Sequence, residues 1–193
     1  MSTLIKPNSF ISIKISNKNL LQNLQYVQEN VIKKDENLKK HLVPLCTAHI
    51  TLQVLKIDKG ILKEVDNALK KVICKFSKKD FEEFSIKGLA TFDDTVLYAK
   101  PQGSRSLDFL NSLVDQITYV LENLKITGLS EYAFTPHITL FQIYDKNSSN
   151  SISKDSYIEN QDIFLGEQSI DEIQLLQMGR YVDWKVLATY SLE

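Results

Sequence analysis

The tetrapeptide His-Ile-Thr-Leu occurs twice in this chain, at residues 49–52 and again at residues 137–140. Each copy lies in an apolar run rich in β-branched residues, which is typical of a strand. Because side chains alternate between the two faces of a strand, the His and the Thr of each copy share one face, and the Ile and the Leu share the other. The repeat therefore predicts two strands that each present an imidazole and a hydroxyl on a polar face and pack an apolar face against a core.

The hydrophobic pattern of the rest of the chain repeats one order of elements around both copies. The predicted strands are about 10–15, 47–57, 81–89, 95–100, 133–144, 169–178 and 184–192, and the predicted helices are about 17–43, 59–76, 104–124 and 157–164, with a turn at Asp93-Asp94 and a surface loop at 146–156. The two motif histidines lie 88 residues apart, at equivalent places in the two halves. This order predicts one α+β domain over residues 1–193, made by internal duplication. Its lobes are about 1–88 and 89–193, with strand exchange between them left open, and a pseudo-twofold axis would bring the two motifs together.

Length and charge limit the classes of partner. The 193 residues carry 23 basic and 24 acidic side chains, a net charge of −1, whereas tight binding of long nucleic acid needs a clear basic excess. No run approaches eighteen apolar residues, so no membrane partner is expected. Cys46 and Cys74 show no Cys-x-x-Cys spacing and are interpreted as reduced, buried thiols. We expect a cytoplasmic protein, with a nuclear location left open.

The motif residues point to a particular chemistry. His49 and His137 can each give or take a proton near neutral pH, so one can act as a general base and the other as a general acid. Thr51 and Thr139 can donate hydrogen bonds to the non-bridging oxygens of a phosphate held between the two strands. This scheme needs no metal, and the chain has no His-x-x-x-His spacing or carboxylate cluster typical of a metal site. We therefore expect neither a metal nor another cofactor.

The paired motifs and three further stretches resemble the 2H phosphoesterase superfamily. These stretches are Asn-Ser-Phe-Ile-Ser-Ile at 8–13, Gly-Leu-Ala-Thr-Phe at 88–92 and Phe-Thr-Pro-His at 134–137, and they are most similar to the central-domain branch of A-kinase anchoring proteins, the nuclear-localisation-domain-like branch. The resemblance implies a bilobal fold in which two antiparallel sheets with flanking helices line a central cleft. It also implies metal-free cleavage of a nucleotide phosphodiester by the two His, with the two Thr on the phosphate. The resemblance also implies a kinase-binding amphipathic helix outside this domain; because the chain ends at Glu193, directly after the last predicted strand, kinase anchoring is not expected.

Six other side chains are candidates for substrate contact. Phe10, Tyr98 and Phe134 could stack on a nucleobase, although each also suits a core position. Arg105, near the start of the third predicted helix, could meet a phosphate, or it could be an ordinary surface residue. Arg180 and Tyr181, in the turn between the last two predicted strands, could cover the cleft.

These observations favour one activity and leave an alternative open. The leading interpretation is a phosphodiesterase acting on 2′,5′-linked oligoadenylate, a related short RNA or a cyclic nucleotide. The alternative is a module that binds a nucleotide such as AMP without turnover, or a scaffold for another protein. The sequence does not decide which His is the base and which is the acid.

Overall fold

A computed structural model describes residues 6–77, 83–126, 133–144, 151–179 and 184–192 of the chain. Within these ranges the strands are β1 Ser9–Lys14, β2 His49–Leu55, β3 Phe84–Phe92, β4 Val96–Gln102, β5 Ile138–Gln142, β6 Phe164–Gln168, β7 Glu172–Gln177 and β8 Lys185–Ser191, and the helices are α1 Lys18–Lys34, α2 Leu62–Ile73 and α3 Ser104–Asn123. Short 3₁₀ turns lie at Glu36–His41, Leu45–Thr47, Lys59–Ile61, Lys154–Ser156 and Ile158–Asn160. The α+β class is confirmed. No helix within the described ranges is long and apolar enough to cross a membrane.

The strands form one antiparallel sheet in the order β6-β3-β4-β5-β2-β1-β7-β8. Its two central strands, β5 and β2, pair at a single position, where Ile50 lies opposite Ile138. The sheet therefore consists of two four-stranded halves joined at one position. The two separate sheets expected from the sequence are thus the two halves of a single sheet. The expected boundary after residue 88 falls inside β3, and β7 returns from late in the chain to pair with β1. The two halves of the sheet consequently do not correspond to the two halves of the sequence.

Strand β1 and helix α1 form for reasons that are visible in their sequences. In β1 the isoleucines at 11 and 13 are fully buried and alternate with Phe10, Ser12 and Lys14, which share the other face. Helix α1 begins where the side chain of Asn17 accepts hydrogen bonds from the amides of residues 19 and 20, as an N-cap does. It ends at Lys34, earlier than its apolar stripe predicts, because the extended Asp35 caps a 3₁₀ turn instead.

The segment between β5 and β7 differs from the prediction. Ile152, placed in a surface loop by the sequence pattern, is only 1% exposed, and its amide donates to the carbonyl oxygen of Asp94 at 2.7 Å. The helix predicted at 157–164 is wrong: a 3₁₀ turn is followed by β6, a short strand on the edge of the sheet. Gly166 in β6 has a φ of +136°, a conformation that glycine adopts more readily than other residues. This glycine also interrupts the alternation of apolar and polar residues from which a strand is predicted.

Beyond the position where β5 separates from β2, other segments of the chain form hydrogen bonds to the backbone of β5. The amide of Val43 donates to the carbonyl oxygen of Leu140 at 3.0 Å, and Leu42 bridges to Phe141. The side-chain amide of Gln28, a buried residue of α1, donates to the same Leu140 carbonyl at 3.1 Å and to that of Val43 at 2.8 Å. These bonds fix the strand that follows the second motif histidine.

The interpretation of both cysteines as buried thiols is wrong. Cys46 and Cys74 are free and exposed. Cys46 lies in the 3₁₀ turn Leu45–Thr47, which contains no buried residue, and Cys74 follows the last turn of α2. Both positions lie outside the apolar stripes that decide burial.

Candidate active site

The two His-Ile-Thr-Leu motifs meet where the halves of the sheet join. Ile50 and Ile138, which pair there, are fully buried. In an antiparallel pair the residues on either side of a matched position face the neighbours of their partner, so each motif His lies across from the Thr of the other copy. The structure thus places His49, Thr51 and His137, with the fourth motif residue Thr139, on one face of the sheet, as the sequence predicts.

Each motif imidazole is held by a carbonyl two residues before it. The Nδ1 atom of His49 lies 2.8 Å from the carbonyl oxygen of Thr47, and that of His137 lies 2.7 Å from the carbonyl oxygen of Thr135. Because a carbonyl oxygen only accepts, Nδ1 carries the hydrogen in both rings, and Nε2 of the neutral ring keeps its lone pair. The Thr51 hydroxyl, 3.0 Å from Nε2 of His49, donates to that lone pair. The two copies therefore present the same nitrogen for proton transfer.

Aromatic rings enclose both imidazoles. The ring of His49 lies 5.3 Å from Phe10 and 5.0 Å from Trp184, measured between centroids. The ring of His137 lies 5.0 Å from Phe92 and 5.5 Å from Tyr98. Each motif His is thus packed against two aromatic side chains in the same way.

This enclosure controls protonation. Burial lowers the pKa of His49 and of His137 below the usual 6.5, because it disfavours the charged ring. The hydrogen bonds to the Thr47 and Thr135 carbonyls oppose this effect on each pKa and are smaller than it. The pKa of His49 is lowered further by the neighbouring His137, since two positive rings repel each other. Both imidazoles are consequently neutral at pH 7 in the ligand-free protein.

Two clefts adjoin the motif residues. We call the larger one, of about 750 Å³, the aspartate cleft; its walls include Thr51, Gln53, Phe92, Asp93, Asp115, Thr118, Phe134 and His137. The smaller one, of about 220 Å³, is the lysine cleft; its walls include Lys14, Cys46, Thr47, His49, Gln174, Leu176, Trp184 and Val186. One motif His borders each cleft.

The remaining predicted contact residues take different positions. Phe10 is 3% exposed and Tyr98 is 8% exposed, so both rings are packed against the imidazoles rather than open to a ligand. Phe134 is half-buried and lines the aspartate cleft. Arg105 is exposed in the first turn of α3 and lines neither cleft. Arg180 and Tyr181 lie outside the described residues.

Sequence reasoning missed several lining residues. Lys14 lies directly opposite His49 in the pairing of β1 with β2, and Asp115 projects from the middle of α3. Neither is part of a motif, and no local pattern separates them from surface charges. Trp184 packs against His49 and also lines the lysine cleft.

The described residues contain no group of three or more His, Cys, Asp or Glu side chains placed to hold a metal ion. The chemistry that this arrangement offers is proton transfer by two imidazoles and hydrogen bonding by hydroxyls.

Comparison with known proteins identifies one family over almost the whole chain. The model of the AKAP7 2'5' RNA ligase-like domain family matches residues 7–191. The human A-kinase anchor protein 7 isoform gamma is 25% identical over 182 residues, which are 90% of this chain and 52% of that protein. The chain thus spans about half the length of this curated relative.

Several solved structures share the fold. The TT0787 protein of Thermus thermophilus superimposes with a TM-score of 0.69 at 18% identity, covering 96% of this chain and 97% of that one. The MHV ns2 PDE domain gives 0.62 at 14% identity, covering 90% and 100%. Escherichia coli LigT, in complex with 3'-AMP, gives 0.55 at 14% identity, covering 96% and 97%.

Proposed function

This chain belongs to the AKAP7 2'5' RNA ligase-like domain family, among the 2H phosphoesterases, and from that premise we propose that it is a phosphodiesterase. Its substrate in this proposal is 2′,5′-linked oligoadenylate or a related short RNA or cyclic nucleotide. The observation that carries the proposal is the matched pair of imidazoles, each with Nδ1 on a carbonyl and Nε2 available for proton transfer. The E. coli LigT structures with 3'-AMP and with ATP support a nucleotide as the ligand class.

The proposed reaction needs one neutral and one protonated imidazole. Burial lowers the pKa of both His49 and His137, and the two rings repel each other when both are charged, so the pair holds a single proton, which our scheme places on His137. His49 is then the general base and His137 the general acid. A bound phosphate supplies the negative charge that favours the protonated ring.

The step balances for a 2′,5′ bond. Nε2 of His49 takes the proton of the 3′-hydroxyl, whose oxygen attacks the phosphorus, and the bond from phosphorus to the 5′-oxygen breaks. Nε2 of His137 gives its proton to the departing oxygen, and a 2′,3′-cyclic phosphate is formed. Thr51 and Thr139 donate hydrogen bonds to the non-bridging oxygens. For this, the Thr51 hydroxyl leaves its bond to Nε2 of His49, which frees the base.

The proposed function is tested with three substrates in excess EDTA. These are 2′,5′-linked triadenylate, 3′,5′-linked triadenylate and a 2′,3′-cyclic nucleotide, with the products resolved by mass. We expect cleavage of the 2′,5′ bond with a cyclic end-group, and loss of turnover in His49→Ala and in His137→Ala, while AMP binding stays within about tenfold of wild type. Full activity in either variant, or an absolute need for added metal, would refute the scheme. AMP binding without cleavage of any substrate would favour a nucleotide-binding module.

A further inference from the structure

The two clefts differ in the side chains that they present on either side of the proposed position of the scissile phosphate. His49 lines the lysine cleft, whereas Thr51 and His137 line the aspartate cleft. These side chains lie close together on one face of the sheet, because Ile50 and Ile138 pair directly behind them. A phosphodiester held between these side chains therefore has the lysine cleft on the side of His49 and the aspartate cleft on the side of His137.

The charges of the two clefts are opposite. Asp93 and Asp115 line the larger cleft, and no Lys or Arg is among its described walls. Lys14 lines the smaller cleft, and no Asp or Glu is among its described walls. Lys14 lies directly opposite His49 in the sheet, so its side chain leaves the same face about 5 Å away. The lysine cleft thus places a cation beside the reacting phosphate and suits an anionic substituent.

Size distinguishes the clefts as well. Pockets that take whole small molecules are typically about 300–1,000 Å³. The aspartate cleft, at about 750 Å³, lies in that range, and its Phe92 and Phe134 rings with two carboxylates suit a base that has N–H donors. The lysine cleft, at about 220 Å³, is too small for a complete nucleoside but has room for a ribose edge and a phosphate.

Resting on the proposed function, we propose that the lysine cleft is a subsite for a second phosphate of the substrate, one ribose away from the scissile phosphate. Lys14 is the cation that binds this phosphate, and Trp184 is the wall against which the intervening ribose lies. The preferred substrate is consequently a nucleotide with two phosphate groups on one ribose, such as a 2′,5′-linked oligonucleotide that also has a terminal phosphate.

Trp184 makes this subsite directly observable. It is the only tryptophan in the chain, it lines the lysine cleft, and it lies 5.0 Å from the ring of His49. Its fluorescence therefore reports occupation of this cleft without any turnover.

The experiment compares three ligands that contain no cleavable diester: adenosine 2′-monophosphate, adenosine 5′-monophosphate and adenosine 2′,5′-bisphosphate. Binding is followed by the fluorescence of Trp184 and repeated by calorimetry. We expect the bisphosphate to bind about tenfold more tightly than the better monophosphate, as one additional charge-assisted hydrogen bond allows. Lys14→Gln should remove this gain, while Lys56→Gln, at an exposed lysine just after β2 that lines neither cleft, should leave it. The gain should shrink as salt is raised.

Two results would overturn the subsite: equal affinity for bisphosphate and monophosphate, or a uniform loss for all three ligands in Lys14→Gln. Since this assay does not depend on turnover, its failure differs from failure of the proposed function. An enzyme that cleaves triadenylate but shows no bisphosphate gain refutes the subsite alone. A bisphosphate gain without any cleavage refutes the proposed catalysis and supports the subsite.

Discussion

Replacing a motif imidazole by an amide separates proton transfer from anchoring. In His49→Asn the side-chain NH₂ takes the approximate place of Nδ1 and can still donate to the Thr47 carbonyl, which His49 does at 2.8 Å. Nε2, the atom that transfers the proton in our scheme, is lost. His137→Asn makes the same change opposite the Thr135 carbonyl, where the wild-type distance is 2.7 Å. Both variants keep the anchor and remove the chemistry.

The expected losses depend on the leaving group. A positioned proton-transfer partner contributes about 10²- to 10⁴-fold in rate, so each variant should lose kcat on triadenylate by a factor in that range. In a nucleoside 2′-(4-nitrophenyl phosphate), which keeps the attacking 3′-hydroxyl, the nitrophenolate leaves without needing a proton. On that substrate we expect His137→Asn to lose less than about tenfold, because the acid is dispensable, whereas His49→Asn retains its full loss of about 10²- to 10⁴-fold.

The assay is initial-rate kinetics on both substrates, with thermal melting to show that each variant is folded. His41→Asn is a matched control, since this third histidine lines neither cleft and should keep kcat/KM within about twofold of wild type. If the nitrophenyl substrate rescues His49→Asn and not His137→Asn, our assignment of base and acid is reversed. If it rescues neither, the loss does not arise from leaving-group protonation and the acid role is refuted.

Two further predictions concern pH and thiol chemistry. Burial lowers the pKa of both His49 and His137, and the reaction needs one of them protonated. We therefore expect kcat/KM on triadenylate to peak below pH 6.5 and to decline steadily above it. A maximum above pH 7 in the pH–rate profile would contradict this. Alkylation of the exposed Cys46 by iodoacetamide should abolish the tighter binding of adenosine 2′,5′-bisphosphate, because Cys46 lines the lysine cleft. In Cys46→Ser the reagent should leave bisphosphate binding unchanged. If the reagent still weakens binding in that variant, the effect is assigned to Cys74 instead.

The parts of the fold that sequence reasoning predicts are those with a regular period. The sequence predicts a helix over 104–124, and α3 is observed over Ser104–Asn123, because its apolar residues keep steps of three and four without interruption. The predicted turn at Asp93 and Asp94 is also present, and both residues adopt the positive φ typical of a tight hairpin. Strand β6 escapes prediction, since Gly166 interrupts its alternation and its pairing partner β3 lies far away in the sequence. Regular elements with local patterns are therefore predictable, and short edge strands are not.

The candidate site divides in the same way. The positions of His49 and Thr51 on one face follow from the strand period alone, so a single sequence suffices for them. The pairing of Ile50 with Ile138 depends on how the two halves of the sheet meet, which no local pattern encodes. Lys14 comes beside His49 through the pairing of β1 with β2, and Asp115 lines the cleft of Thr51 and His137 from α3. These cleft residues escape sequence reasoning because they are distant in sequence and ordinary in type.

The repeated motif also raises the question of how the two directions of a bound phosphodiester are distinguished. The two copies hold their imidazoles in nearly the same way, with Nδ1 on a carbonyl and the ring between aromatic side chains. Two equal motifs would bind a phosphodiester equally well in either direction, yet the reaction requires the attacking and leaving oxygens to be distinguished. In our proposal the distinction comes from the clefts, because Lys14 attracts the substrate end that has a second phosphate and Asp93 and Asp115 repel it. The direction of cleavage is then set outside the repeated motif, so that reversing the charges of the two clefts should exchange the roles of acid and base.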